Sequence, residues 1–591
     1  MFPKYLQPIE VHTIQTLALG AIVAIFFWPI ASVIYCINVS LRFCSQLACN
    51  YYYPGRYELA AGEDSVFGVK LPGSSKSYIH GYKVIRGVPD INRIRAKLQE
   101  VFTRTSGYDR LKHALTDKFG YFCWDKKVPF DVTKHVRLLD DFDPEEIVDE
   151  ARLVEICEKL VPRDCGEEMP QWEVMMIPKF RMPGELQNET TTSHYALIVR
   201  IHHAYCDGIS YVLLVNNFLA DVSGELPIDP TKGFNNPFWI KAYIWAKILA
   251  VGPMNFFKYL GMLIASNSLF GVERYSLSKL MAKSSTVEMD KLRKLRLASG
   301  TSVTSITLSA VFAALHKTHL RLFPGRAVPK TLHLASVGVM LPYSEDKRLA
   351  NQFTMWPYTA PLKVDDPKKR LAMTHEEVRR CASQPDPVFD FYMQRALGSL
   401  PKFLHTILFN LSGTPIMLSN VPGYKTSVKL FGGEMVDAAA WIPLVTTTGI
   451  GLSTQSYCGR MHFSAIADPK VVPTSAELKI FVEEVVQQID IMYKAYVPSE
   501  NTQGEAEDML LKSVLQNDKD ESKDSLRSPS KMVKRDANDN EQFEFSSLSS
   551  KPSTSLKHLE DIPTDLCRNR HVDPNDTSAY PNAEKASEKV I

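Results

Sequence analysis

The residues best placed to do chemistry fall in one run, Tyr195-Ala-Leu-Ile-Val-Arg-Ile-His-His-Ala-Tyr-Cys-Asp-Gly208. Its first part is β-rich and apolar. Strand side chains alternate, so Leu197, Val199, Ile201 and His203 share one face and Ile198, Arg200 and His202 the other. Asp207-Gly208 predicts a turn, and Ile209 to Leu219 predicts a buried helix that Asp207 could cap. An imidazole at the end of a buried strand titrates near working pH, which suits removal of a proton from a hydroxyl as it attacks an ester or thioester. Asp207 either orients the ring or pairs with a distant Arg and holds the turn in shape; the glycine-bearing turn favours the second. Two adjacent histidines alone also fit a satisfied core histidine followed by a helix cap. Cys206 has no activating base beside it and reads as packing.

The elements that must position this run belong to a chain of 591 residues with 45% hydrophobic and 23% charged residues, enough for two packed domains. The 68 Lys+Arg and 66 Asp+Glu leave a formal +2, too balanced for a protein that grips nucleic acid through its phosphates. That charge is unevenly spread. Residues 501–591 hold 13 basic and 18 acidic residues, so residues 1–500 are net basic, which suits anionic lipid or a phosphorylated co-substrate and equally a plain solvated surface. The ten cysteines show no Cys-x-x-Cys and no paired Cys/His spacing. Neither a metal site nor a disulfide framework is expected, and a reducing compartment fits.

Between Glu10 and Arg42 no charged residue occurs, and Leu17 to Ile37 is a run of 21 almost wholly apolar residues. As a helix this spans roughly 30 Å, one bilayer core, and predicts a membrane anchor in residues 1–50. Trp28-Pro29 at its middle allows a kinked span or a shallow hairpin in one leaflet. A mixed α/β domain is expected over 51–230, with strands such as Ser77–Val84 and Trp172–Ile177 and a helix at Asp90–Arg104. Residues 231–288, apolar and aromatic but broken by Lys241, Lys247 and Lys258, read as a linker or interfacial helix, or as an ordinary core helix. A second mixed domain follows over 289–497. In the last 91 residues Leu, Ile, Val and Phe number 16, too few for a core, and 498–591 is expected to be a disordered polar tail.

Beyond this, His202-His203-Ala-Tyr-Cys-Asp207-Gly208 resembles the HHxxxDG motif of acyl-CoA-dependent acyltransferases, and the flanking sequence resembles the wax ester synthase/diacylglycerol acyltransferase family. Phe130-Asp131 with His135-Val136-Arg137 is similar to that family's FD...HVR, and Pro170-Gln171-Trp172-Glu173 to its PLWE. Further along, Pro342-Tyr343-Ser344 with Asn351-Gln352 is similar to PVS...GN, and Ser419-Asn420-Val421-Pro422-Gly423 to SNVPG. Ser456-Tyr457 with Gly459-Arg460, then Ala467-Asp468, is similar to the family's closing segment. The matches run in order from about residue 80 to 490. Two departures stand out: Thr304-Ser305 replaces the family's Asn-Asp pair, and Glu345-Asp346 replaces the Arg after PVS, both bearing on the domain seam.

The resemblance implies an α/β (α+β) fold of two related domains facing across a tunnel. It implies His203 as the general base that activates a bound alcohol against a fatty acyl-CoA thioester, without an acyl-enzyme. His202 would be accessory, Asp207 would hold the loop, and Gly208 would permit its tight backbone. Trp172 is read as tunnel wall or core, and Asn420, Pro422 and Gly423 as shaping the domain interface. No cofactor or metal is implied beyond acyl-CoA as co-substrate. Expected partners are fatty acyl-CoA, a long-chain alcohol or diacylglycerol, and membrane lipid, with no nucleic acid. The acceptors place the protein at a membrane, that of the endoplasmic reticulum or lipid droplet, or the plasma membrane. Two other readings remain: a peptide-synthetase condensation domain, which shares HHxxxDG but needs a carrier protein, and a membrane-anchored lipid-binding or scaffold protein without turnover.

Overall fold

The computed structural model describes residues 11–70, 76–104, 107–185, 193–227, 229–230, 232, 237–264, 275–329, 331–343, 349–382, 384, 386–410, 415–444 and 448–497. The expected tail at 498–591 and the substituted Glu345-Asp346 lie outside them.

Two seven-stranded mixed sheets carry the fold. The first runs in the order Val136–Leu138, Trp172–Phe180, His194–His202, Tyr78–Arg86, Gly433–Trp441, Lys429–Leu430, Ala220–Val222. Its central strand His194–His202 is buried on both faces, as an apolar run flanked by partners on each side should be. Leu197 and Ile201 face the helix Ile91–Arg104, with Ile94, Leu98 and Phe102. Ile198 faces Leu153, Ile156 and Leu160 of the helix Glu150–Leu160. Arg200 on that second face is fully buried; it is ion-paired to Glu173 and lies over the Tyr78 ring at 4.8 Å, so the charge is not left bare.

The second sheet is ordered Val287–Glu288, Arg460–Ala467, Ile450–Tyr457, Ile416–Val421, Thr331–Val339, Phe353–Pro361, with Leu280–Lys283 also paired to Arg460–Ala467. Helices Val303–Leu322 and Ser475–Tyr496 cover it and complete its core. The helix Val303–Leu322 opens where the Asn-Asp pair is missing: Ser302 caps it and Ser305 bonds Ser302 and His375, at 2.8 and 3.0 Å.

Two details depart from the linear division of the chain. Residues 429–441 leave the second domain and add two strands to the first sheet, Gly433–Trp441 pairing with Tyr78–Arg86. Strands within 280–288, expected in the linker, belong to the second sheet. Both follow from unsatisfied strand edges finding partners wherever the chain passes, which sequence order does not encode.

The N-terminal helix runs unbroken from Val11 to Tyr52, through Pro29, so the hairpin alternative does not hold. A single proline costs one helical hydrogen bond, a loss that packing against a neighbour can offset. Here the neighbour is the helix Phe238–Ile264: Trp28 donates to the Leu249 carbonyl at 2.7 Å, and Phe27 packs on Phe256 and Phe257. Of the described helices, only Ala18–Tyr52 is by itself long and apolar enough to cross a membrane, and it is almost wholly uncovered by the rest of the protein.

Candidate active site

The strand His194–His202 delivers the histidine pair to its own C-terminal end, where the second domain meets it. His202 and His203 part company there. The His202 ring is buried, accepts the Ala204 N–H on Nδ1 at 3.3 Å and lies edge-on to Tyr78. Burial, with His203, Lys76 and Lys70 adding to it, pushes its pKa down to about 3, so it stays neutral and braces the turn.

The His203 ring stacks on Phe67, centroids 3.9 Å apart, and meets Phe353 edge-on at 5.8 Å. Its backbone N–H is held by the Ser77 carbonyl at 2.7 Å. On the ring, Nδ1 lies 3.0 Å from Oδ1 of Asn351. The Asn351 amide nitrogen faces three acceptors: Asp64 Oδ1 at 2.9 Å, the His203 carbonyl at 2.9 Å and the Ala204 carbonyl at 3.2 Å. That crowd of acceptors fixes which end of the amide is nitrogen. Oδ1 is left for the ring, so Nδ1–H donates to it and Nε2 keeps the lone pair. Burial lowers the His203 pKa against the opposing effect of Asp207, which keeps the ring an unprotonated base at neutral pH.

Asp207 makes no hydrogen bond to His203. Its Oδ1 accepts from Ser210 N–H at 2.9 Å and caps the helix Gly208–Leu214, which continues as a wider turn to Leu219. Its Oδ2 accepts the Gln352 N–H at 2.7 Å and the Tyr343 hydroxyl. The reading that Asp207 holds the loop thus has a geometry, but the partners are a tyrosine and a backbone amide of the second domain rather than an arginine. Asp207 N–H and Ser210 Oγ donate to the Ala350 carbonyl at 3.0 and 2.8 Å, so residues 350–352 run along the motif turn and join the two domains beside His203.

Gly208 is needed for space. Its φ is ordinary, and a Cβ there would come within 2.8 Å of Val421 Cγ2. Gly208→Ala is therefore expected to lower the melting temperature by overpacking, about 1–3 kcal/mol, and Val421→Ala in the same chain to recover most of the loss; thermal unfolding of the two variants checks it. Gly423, two residues beyond Val421, is tighter still, since a Cβ would overlap the Ser456 carbonyl. The Asn420 side chain is exposed and accepts from Thr454 at 2.7 Å, while Pro422 is half-buried after the strand Ile416–Val421. The stretch thus sets Val421 against the motif turn, with Asn420 itself turned away to its own sheet.

Trp172 takes the core setting, and the cavity beside it is lined by neither motif histidine. It is buried, donates to the Leu111 carbonyl at 2.7 Å and stacks on His135, and it also lines an apolar cavity of about 60 Å³ with Lys83, Leu197, Ile201, Tyr211 and Leu214. Its neighbour Gln171 has a positional role that the sequence did not suggest: its N–H donates to the Tyr205 hydroxyl at 3.0 Å, and that hydroxyl donates to the His113 carbonyl at 2.6 Å, pinning the centre of the motif. The Cys206 thiol is fully buried, and burial raises its pKa, so it is no nucleophile. Among the described residues no group of three or more His, Cys, Asp or Glu gathers to hold a metal.

Asn351, Tyr343, Gln352, Phe67 and Asp64 were not assigned roles from the sequence. The first three sit in segments already noted for their resemblance, which was a usable signal. Phe67 and Asp64 precede that region and carried none.

Comparison with known proteins bears on the family. The wax ester synthase/diacylglycerol acyltransferase catalytic domain matches residues 78–236, which hold the histidine pair, and the WS/DGAT C-terminal domain matches 349–490, which hold Asn351 and Gln352. A Mycobacterium tuberculosis protein named as the diacylglycerol O-acyltransferase Tgs1 is 20% identical over 393 residues, 62% of this chain and 81% of its own. A second diacylglycerol O-acyltransferase by name from that organism is 20% identical over 350 residues, 54% of this chain and 67% of its own. Among solved structures, the wax ester synthase/diacylglycerol acyltransferase from Marinobacter aquaeolei VT8 aligns with a TM-score of 0.49 at 14% identity, over 74% of this chain and 99% of that one. Matched by both domains of the family over about half its length, with the histidine of one domain bonded to the asparagine of the other, the chain belongs to the wax ester synthase/diacylglycerol acyltransferase family and is an acyl-CoA-dependent O-acyltransferase.

Proposed function

We propose that this enzyme is membrane-anchored and moves a fatty acyl group from acyl-CoA to the hydroxyl of a long-chain alcohol or diacylglycerol, with His203 as general base. The observation that carries the reading is the Asn351 bond, which commits the proton to Nδ1 and presents Nε2 as acceptor. Nε2 takes the hydroxyl proton as the alcohol oxygen attacks the thioester carbonyl. The C–O bond forms, the C–S bond breaks, and the imidazolium returns its proton to the departing CoA thiolate. A base of this kind contributes roughly 10²–10⁴-fold.

Membrane attachment is supported by the helix Val11–Tyr52, whose Leu19, Ile22, Ile25, Phe26, Ile30 and Val33 are more than half exposed. A row of uncovered aliphatic and aromatic side chains of this extent is stable only in apolar surroundings. The partner helix Phe238–Ile264 presents Phe238, Trp239 and Trp245 to the same exterior, in keeping with an interfacial position. Such attachment brings the site to water-insoluble acceptors, and the membranes of the endoplasmic reticulum or lipid droplet hold them.

The test is incubation of membranes from expressing cells with labelled palmitoyl-CoA and, separately, hexadecanol, diacylglycerol or cholesterol, with the lipid products resolved. Wax ester or triacylglycerol is expected, and extraction with alkaline carbonate should leave the enzyme in the pellet. Cholesteryl ester as the sole product would overturn the acceptor assignment, and release by carbonate the anchoring.

A further inference from the structure

Upstream of both matched domains lies a buried carboxylate that the mechanism above does not use. Asp64, 1% exposed, sits in the short helix Gly62–Ser65 between the end of the membrane helix and the first sheet. Its place is fixed from below: Gly62 packs so closely on the helix Asp386–Gly398 that a Cβ would stand 2.0 Å from the Arg395 carbonyl. One carboxylate oxygen accepts from the Asn351 amide at 2.9 Å, and the other is ion-paired with Arg110 at 3.0 Å. Asn351 is itself 1% exposed and bonds the His203 ring. The line Arg110, Asp64, Asn351, His203 thus joins four separate chain segments with a bond at every step.

A buried carboxylate carries a desolvation cost even when paired, as Asp64 is with Arg110, and packing alone would be served as well by a neutral residue. A charge there does something a neutral group cannot: it favours a positive charge farther along the line. We propose that Asp64 is a positioning residue for the acyl transfer, holding Asn351 in the orientation that fixes the His203 tautomer and stabilising, through the Asn351 amide, the imidazolium that forms when His203 takes the acceptor's proton. The assignment rests on His203 being the general base. It resembles in logic the carboxylate that orients a catalytic imidazole directly, with an amide interposed here between the two. Facing Asp64 are Arg110 from before the strand Ala114–Lys118, Asn351 from the second domain, Arg395 from the helix Asp386–Gly398, Cys206 from the motif turn and its own neighbour Glu63. Burial raises the Asp64 pKa to about 6 against the pull of Arg110, so the carboxylate carries its charge at neutral pH.

The test uses the full chain in lipid nanodiscs, with kcat and KM for palmitoyl-CoA and hexadecanol measured across pH for wild type, Asp64→Asn, Asn351→Ala, the double variant and His203→Ala. Asp64→Asn keeps an acceptor for the Asn351 amide and removes the charge. Its kcat is expected to fall about ten- to hundredfold with both KM values unchanged. Losing a stabilising negative charge makes the imidazolium harder to form, so the acidic limb of the kcat profile should move to lower pH, by about half a unit or more. In the Asn351→Ala background the same change should have little further effect, because the line is already cut. Should Asp64→Asn fail to accumulate, Asp64→Ser repeats the measurement with a smaller uncharged acceptor.

Wild-type kcat in Asp64→Asn would overturn the proposal. So would a raised KM with an unmoved acidic limb, which would mean a substrate-binding role, or a loss confined to melting temperature, which would mean packing. Turnover by His203→Ala would instead overturn the general-base reading on which the proposal stands.

Discussion

His203→Ala is expected to remain folded and membrane-bound while its transfer rate falls roughly 10²–10⁴-fold with every acceptor. The fold should tolerate the change because the ring is only half-buried and its largest contact is one face of Phe67. The polar groups it leaves are provided for: Asn351 keeps its three acceptors, and only its Oδ1 loses a partner, facing the space a water can enter. The chemistry has no such substitute. His202 is turned into the protein, its Nδ1 engaged by Ala204 N–H and its pKa pushed down to about 3, so it cannot take over as base. Product formation by resolved lipid assay, set beside the melting temperature of the same preparation, checks both halves. Retained turnover in a folded variant would exclude the imidazole from the reaction.

Asp207→Ala should fail for a different reason. That carboxylate serves three donors from two domains: Ser210 N–H, Gln352 N–H and the Tyr343 hydroxyl. Removing it strands three buried donors and uncaps the helix Gly208–Leu214, a loss of about 3–5 kcal/mol. The stretch 350–352 then loses its fastening to the motif turn, and with it the placement of Asn351 on His203. A large drop in melting temperature is expected together with loss of transfer. Asp207→Asn should be milder, since its amide oxygen still accepts from Ser210 while its NH₂ meets the Gln352 N–H donor to donor. Thermal unfolding of the two variants in one detergent distinguishes them; equal melting temperatures for Asp207→Ala and wild type would show that the clamp carries no weight.

Much of the site was legible in the chain itself. The alternation of Leu197, Val199 and Ile201 with Ile198 and Arg200 places a two-faced strand, and period-2 geometry then sends His202 and His203 to opposite sides. The cap at Asp207 follows from the same local chemistry, an acceptor side chain three residues before an N–H with no helical partner. The apolar run after Glu10 foretells a long N-terminal helix because helical length and hydrophobicity are local properties.

Local rules stop where a partner comes from far along the chain. Nothing near Asp207 shows that it would choose Tyr343 and Gln352, more than 130 residues away, over an arginine. Gly208 looks like a residue chosen for backbone freedom until Val421 is seen pressing on it. The strands at 429–441 read as part of the second domain because sequence order is the only order a sequence displays.

What the sequence determined by itself, then, is the set of short-range decisions: strand, turn, cap, apolar helix, and the opposite faces taken by the two histidines. Tertiary structure alone decided what His203 is. Its tautomer depends on Asn351, the orientation of Asn351 on Asp64, and the charge of Asp64 on Arg110, three contacts spanning 148, 287 and 46 residues of chain. A hydrogen bond is specified by distance and direction in space, and separations of this size bring two groups together only after both sheets have packed.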